Sequence, residues 1–419
     1  VVDKVPIAHA MASTKKSKKT PKPPQGRPAS TALVSQPAVE DASSILALSS
    51  FSPRGELFAY VSLAVDKHRL RIYNTTTGQA TADHIIDTAR VSSIIWSASD
   101  LEEADNAGSS QPSKKKRKKR DSLVASEVRS RSTEVVLLGL SDGSILCFSP
   151  SHGRVLRTLS HSSSTSAVLA LAVEDHRRWL IWASGQDATL RLWDANKNEI
   201  VGSWKNDDRI PYTSLTIRSS DEENLTGVLS ASHSIRLLSR PVKINGLLPK
   251  KLSQLATFTG HASPIKSMQW DHSKQISTRF ISMAEADRFL YVWDVPDKLG
   301  VDGRATASIP LDSDVRSFSL SKPSEPSQSS VLLTLSASEK IALYPIPQQI
   351  SSPTSSNRSP AKLPTLHSRS TIVSTSKKSS VPAPIINVSF VEGEDGNIRV
   401  ARLVQGVRPV FTIAVRIDA

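Results

Sequence analysis

Asp287-Arg288-Phe289-Leu290-Tyr291-Val292-Trp293 leaves a turn on an Asp, carries apolar side chains three and five residues later, and ends on an aromatic at the sixth. Five more stretches keep this frame: Lys67 to Tyr73, Asp142 to Phe148, Asp187 to Trp193, Ser232 to Leu238 and Ser338 to Tyr344. Each opens on Asp, Ser or Lys and closes on an aromatic or Leu. Alternation of period two is the pattern of a half-buried strand. Its return inside a unit of about 45 residues marks the blades of a β-propeller rather than isolated hairpins.

Counting outward from these strands gives an all-β chain with a single seven-bladed β-propeller over 41–419. A disordered basic arm is expected over 1–40, with flexible inserts at 99–132 and 348–380. The arm is rich in Pro, Lys, Ser and Ala and lacks the apolar surface to order itself. The last blade offers three strands, Ile385 to Phe390, Ile398 to Leu403 and Val410 to Ile417, where a blade needs four. An open sheet edge invites pairing with other chains, so the β-compatible run Thr31 to Val34, or its neighbours up to Val39, is expected to complete it.

Charge is unevenly placed. Residues 11–30, 114–120 and 351–380 hold 18 Lys and Arg and no acid, more than the whole surplus of +14, which leaves 35 basic against 39 acidic residues elsewhere. The propeller body is therefore near neutral and the cationic character sits in segments suited to a polyanion such as RNA or to an import receptor. In the run Lys114, Lys115, Lys116, Arg117, Lys118, Lys119, Arg120, mutual repulsion predicts a solvated loop. Nuclear import, contact with RNA phosphate and mere solubility all remain open for it. No aromatic interleaves, so base stacking is not expected there. Ser352-Pro353 and Ser359-Pro360 could accept phosphate.

The single cysteine, Cys147, excludes an internal disulfide and reads as a buried strand residue in a reducing compartment. No apolar window reaches membrane-span length and no secretory signal opens the chain, so an intracellular protein is expected. There is no Walker loop, Gly-x-Ser-x-Gly elbow, His-Glu-x-x-His or paired cysteine. The expectation is no enzyme, no cofactor, no metal and no small-molecule substrate.

Gly260 and His261, then Asp287, then Trp293 and Asp294 resemble the WD-repeat pattern. That resemblance implies a structural hydrogen-bond set of His261, Ser282, Asp287 and Trp293, with Asp187 and Trp193 as the counterparts in blade 3, where no Gly-His precedes the blade and His161 is the nearest candidate, farther upstream of its strand. Further stretches resemble the small WD-repeat subunit of the UtpA subcomplex of the small-subunit processome. They are Val136 to Leu146, Phe258 to Ile265, Phe289 to Trp293 and the closing segment Pro382 to Ile417. The resemblance implies a nuclear and nucleolar, non-catalytic scaffold in ribosome biogenesis, assembling with other UtpA propellers on the 5′ leader of pre-rRNA for 18S rRNA maturation. It also implies a helical C-terminal domain beyond Ala419. The rival readings are a nuclear WD-repeat adaptor gripping a peptide of a chromatin or ubiquitin-ligase partner, and a propeller that binds phosphate-rich lipid.

Overall fold

The alternating frame is realised as antiparallel sheets arranged as seven blades. The structure, a computed structural model, describes residues 48–414 apart from 65–66, 100–132, 162–165, 175–176, 218–226, 240–247, 272–277, 297–299, 301, 312–313, 323–328, 351–362, 369, 374–382, 391–397 and 405–407. All described residues belong to one unit, Glu40–Ala419.

Blade 1 is β1 (Ser49–Phe51), β2 (Leu57–Ala64), β3 (Lys67–Asn74) and β4 (Ala80–Ile86). Blade 2 is β5 (Val91–Ser99), β6 (Thr133–Leu140), β7 (Ile145–Ser149) and β8 (Arg154–Leu159). Blade 3 is β9 (Val168–Val173), β10 (Leu180–Gly185), β11 (Thr189–Asp194) and β12 (Glu199–Lys205). Blade 4 is β13 (Ser214–Ile217), β14 (Gly227–Ala231), β15 (Ile235–Ser239) and β16 (Gln254–Phe258), joined by a fifth strand, β20 (Asp302–Gly303). Blade 5 is β17 (Ile265–Trp270), β18 (Arg279–Ala284), β19 (Phe289–Asp294) and β21 (Ala305–Pro310). Blade 6 is β22 (Val315–Leu320), β23 (Ser330–Ser336), β24 (Lys340–Ile346) and β25 (Ser370–Val373). Blade 7 is β26 (Ile385–Phe390), β27 (Ile398–Val404) and β28 (Arg408–Ala414), three strands among the described residues.

The frame sorts its side chains between neighbours. Leu190 and Leu192 pack against blade 4 and Trp193 against blade 2. Leu290 and Val292 likewise face blade 6 while Trp293 faces blade 4. Positions three and five thus meet the following blade and position six the preceding one. The same holds in blade 1, where Leu70 and Ile72 meet blade 2 and Tyr73 meets blade 7. Cys147 is fully buried between blades 2 and 3, and burial pushes its thiol up to about 12.

Polar bonds run beside these apolar seams. Trp96 Nε1 donates to Ser50 O, Ser92 Oγ to Val168 O, Ser184 Oγ to Tyr212 O, Thr213 Oγ1 to Ile265 O and Gln269 Nε2 to Phe318 O. Asn387 Nδ2 closes the circle by donating to Ser49 O at 3.2 Å. Phe411 of blade 7 packs 5.4 Å from Phe58 of blade 1, and Arg399 donates to Thr75 Oγ1. First and last blades are therefore directly joined.

Outer edges are the exposed hazard of such sheets. The connection before β16 covers blade 3, because Leu248 and Leu252 pack with Trp204, whose Nε1 donates to Pro249 O. Strand β20 covers blade 4 by pairing in parallel with β16, and Thr365 bridges to Ser308 on blade 5. Gly303 permits the first approach, since a Cβ there would overlap the Phe258 ring.

One expectation needs correction, and one strand was not anticipated. The stretch 348–380 is not wholly an insert: Ser370–Val373 supplies the outer strand of blade 6, as its β-branched Thr371, Ile372 and Val373 favour. The sequence pattern also gave no sign of the fifth strand of blade 4, a two-residue segment whose pairing rests on backbone approach rather than periodicity. The arm, the run Thr31 to Val34 with its neighbours to Val39, the insert after β5, and both Ser-Pro pairs lie outside the described residues.

Candidate functional site

His261 lies on the loop from β16 into β17, Ser282 on β18, Asp287 in the turn from β18 to β19, and Trp293 near the end of β19. Trp293 Nε1 donates to Ser282 Oγ at 2.7 Å, and Ser282 Oγ lies 2.6 Å from His261 Nε2. His261 Nδ1 lies 2.7 Å from Asp287 Oδ2. A neutral imidazole satisfies all three contacts in one direction: Nδ1–H donates to Asp287, Nε2 accepts from Ser282, and Ser282 accepts from Trp293. Burial drives the His261 pKa down, against the opposing pull of Asp287. Burial acts to raise that of Asp287, but hydrogen bonds from Ser263 Oγ, His261 and the Ala262 amide hold it below the ordinary range.

The His261 side chain is 1% exposed and both ring nitrogens are engaged. Such a group locks a turn to two strands; it has no free nitrogen with which to move a substrate proton. Ser263, whose Oγ donates to Asp287 Oδ1 at 2.7 Å, is a fifth member that the sequence pattern missed. Its position two residues after the His was the available signal.

Blade 3 is built differently, which corrects the place of Asp187 and Trp193 in a matching set. Asp187 is held by Arg191, whose NH2 donates to Oδ2 at 2.5 Å, and by the Thr189 amide. Ala183 pairs with Arg191 where Ser282 pairs with Tyr291, so no hydroxyl is offered to Trp193 from that register position. Trp193 contributes by packing between blades 2 and 3. Lys114 to Arg120 lie outside the described residues. Among the described residues no group of three or more His, Cys, Asp or Glu gathers as a metal set, and no helix is long and apolar enough to cross a membrane.

The neutral His261 has a measurable consequence. On acidification the unfolded chain gains a proton near pH 6.5 that the buried imidazole refuses, so stability falls as pH drops from about 7 toward 5. Asp287, held low, keeps its contribution through this window and loses it only at more acidic pH. His261→Asn should therefore be less stable at pH 7.5 yet lose part of the decline. Melting temperatures at pH 7.5 and 5.5 check this, and equal declines in both proteins would remove His261 from the response.

These features define a WD-repeat β-propeller. The WD domain, G-beta repeat family matches residues 153–194 and 252–294. Each match begins on or just before the outer strand of one blade and ends on the Trp-Asp of the next. Among curated proteins the chain is similar to U3 small nucleolar RNA-associated protein 5 of Saccharomyces cerevisiae, at 24% identity over 271 residues. That match covers 65% of this chain and 36% of the yeast protein's length. Among solved structures, a chain from the crystal structure of a mitotic checkpoint complex aligns over 97% of this chain and 100% of its own, with a TM-score of 0.55 and 13% identity. At that identity the likeness concerns the fold alone.

Proposed function

We propose that this protein is a non-catalytic scaffold of ribosome biogenesis, a propeller subunit of the UtpA subcomplex of the small-subunit processome. It acts in the nucleus and nucleolus, assembling with other UtpA propellers on the 5′ external transcribed spacer of pre-rRNA for 18S rRNA maturation. The observation that carries this reading is the similarity to a U3 small nucleolar RNA-associated protein over 271 residues. Two features support it: the blade 5 histidine is consumed by structure, and the cationic segments favour polyanions. An import receptor is the expected partner of residues 114–120, and neither a membrane nor a small-molecule substrate is required.

Purifying the tagged protein from its own cells should recover processome subunits and the pre-rRNA leader. A chromatin, ubiquitin-ligase or membrane set would overturn the assignment. Replacing all seven residues 114–120 by Gln should reduce nuclear entry, RNA affinity or both by several-fold; if neither moves, the run has no part in the function.

A further inference from the structure

No Asp or Glu occurs between Glu223 and Asp271, against six Lys and Arg, so the stretch that runs from β14 of blade 4 into β17 of blade 5 is cationic inside a body that is near neutral as a whole. Part of this charge is fixed in place. The connection entering β16 is anchored by Leu248 and Leu252 in the core and by Pro249 O on Trp204, leaving Lys250 and Lys251 exposed on the outer rim where blades 3 and 4 meet. Lys251 bonds Asp207 on the loop from β12 to β13, which brings that loop beside it.

The loop itself is braced. Buried Asn206 donates from Nδ2 to Ile210 O at 2.8 Å and accepts from Arg236 NH1 at 2.9 Å, while Arg236 also pairs with Asp208. At its tip Arg209 has φ 57°, a left-handed conformation costly for a residue with a Cβ and kept only when surroundings impose it. Asp207 and Asp208 are both taken by cations of the same rim. Lys205, Arg209 and Lys250 are exposed beside them and carry the surplus.

We infer that this rim is a phosphate-binding ledge, the place where the folded propeller touches an RNA backbone. A stable protein interface carries an apolar core, whereas here Trp204, Leu248 and Leu252 turn inward and Ile210 is the large apolar side chain exposed on the loop. Charge without an apolar centre suits phosphate contacts, which position a nucleic acid without reading its sequence. The inference deepens the pre-rRNA reading and rests on it for the identity of the RNA; the ledge's affinity for phosphate backbone is a property of the chain itself.

The test titrates the full-length protein against a labelled single-stranded RNA of mixed sequence, from 50 to 300 mM salt. Lys205→Gln/Arg209→Gln/Lys250→Gln should flatten the log–log salt slope by about 2 and weaken binding at low salt by roughly tenfold or more. Lys67→Gln/Lys340→Gln, on blades 1 and 6, should change neither. Arg209→Gly relieves the left-handed strain while removing one charge, so it should lose affinity with an equal or higher melting temperature. An unchanged slope in the triple variant overturns the ledge, as does loss of poly-glutamate binding with RNA binding intact, which would mark a protein-docking face. Recovery of processome partners by the unmodified protein separates the two readings: RNA loss in the triple variant when the unmodified protein recovers no processome sinks only the assignment, and a recovered processome with no RNA loss in the variant sinks only the ledge.

Discussion

Trp293→Ala should destabilise the propeller by about 4 kcal/mol, lowering the melting temperature by roughly 5–10 °C. The indole is fully buried and lies within 6.2 Å, centroid to centroid, of Phe258, Phe280, Tyr291 and His261. Truncation empties the seam between blades 4 and 5 and also leaves Ser282 without its donor. Trp293→Phe separates the two contributions, because most of the volume stays while the Nε1–H is lost, and should cost about 1–2 kcal/mol. Ser282→Ala removes the middle of the chain, leaving Nε1 of Trp293 and Nε2 of His261 buried without these partners, and should cost about 2–3 kcal/mol. Combined with Trp293→Phe its cost should be less than additive, since both break one connected set. Equilibrium urea unfolding measures all four proteins. Should Trp293→Phe cost as much as Trp293→Ala, packing is not what this residue supplies; additive costs would mean that the hydrogen bonds act separately.

The legible part of this fold was the third strand of blades 1 to 6. That strand is buried on both faces, so a spacing of three, five and six residues records two different neighbours at once, as Leu290, Val292 and Trp293 do. Blade 7 escaped the frame because β28 carries Thr412 after Phe411, with only the latter reaching blade 1. Outer strands were harder to read: β25 hid in a Ser-rich stretch, and β20 and Thr365 pair through backbone alone. The blade 5 set was readable because His, Asp and Trp are diagnostic together. The blade 3 error arose because the same Asp and Trp occur there without the hydroxyl and histidine that would connect them, and Arg191 takes the carboxylate instead. The blade 4 ledge was obscured by totals, since a body balanced at 35 against 39 charges can still hold a stretch, from Asn224 to Trp270, with no acid.

Deleting residues 31–40 should lower the melting temperature by about 5 °C and increase self-association. The reason lies in how the other edges are covered. Blades 3, 4 and 5 are each shielded by the long connection to the outer strand of the following blade. The blade that follows blade 7 is blade 1, whose corresponding connection, Thr75 to Gln79, is short and bonds β28 through Arg408 alone, donating to Gly78 O. Among the described residues β28 therefore keeps an open edge, with Val410 40% and Ile413 53% exposed. Across from it Ile85 is 53% exposed, on the face of blade 1 that Phe58 and Tyr73 turn toward blade 7. The β-compatible run Thr31-Ala32-Leu33-Val34, outside the described residues, is the segment we propose to cover such an edge. Burying two or three apolar side chains contributes about 1.5–3 kcal/mol each, and pairing the edge removes a template for other chains. Leu33→Asp/Val34→Asp should reproduce the deletion, with chain length unchanged. A melting temperature and a monomeric elution volume both unaltered by either change would reject closure by this segment and leave β28 open to a strand from a partner protein.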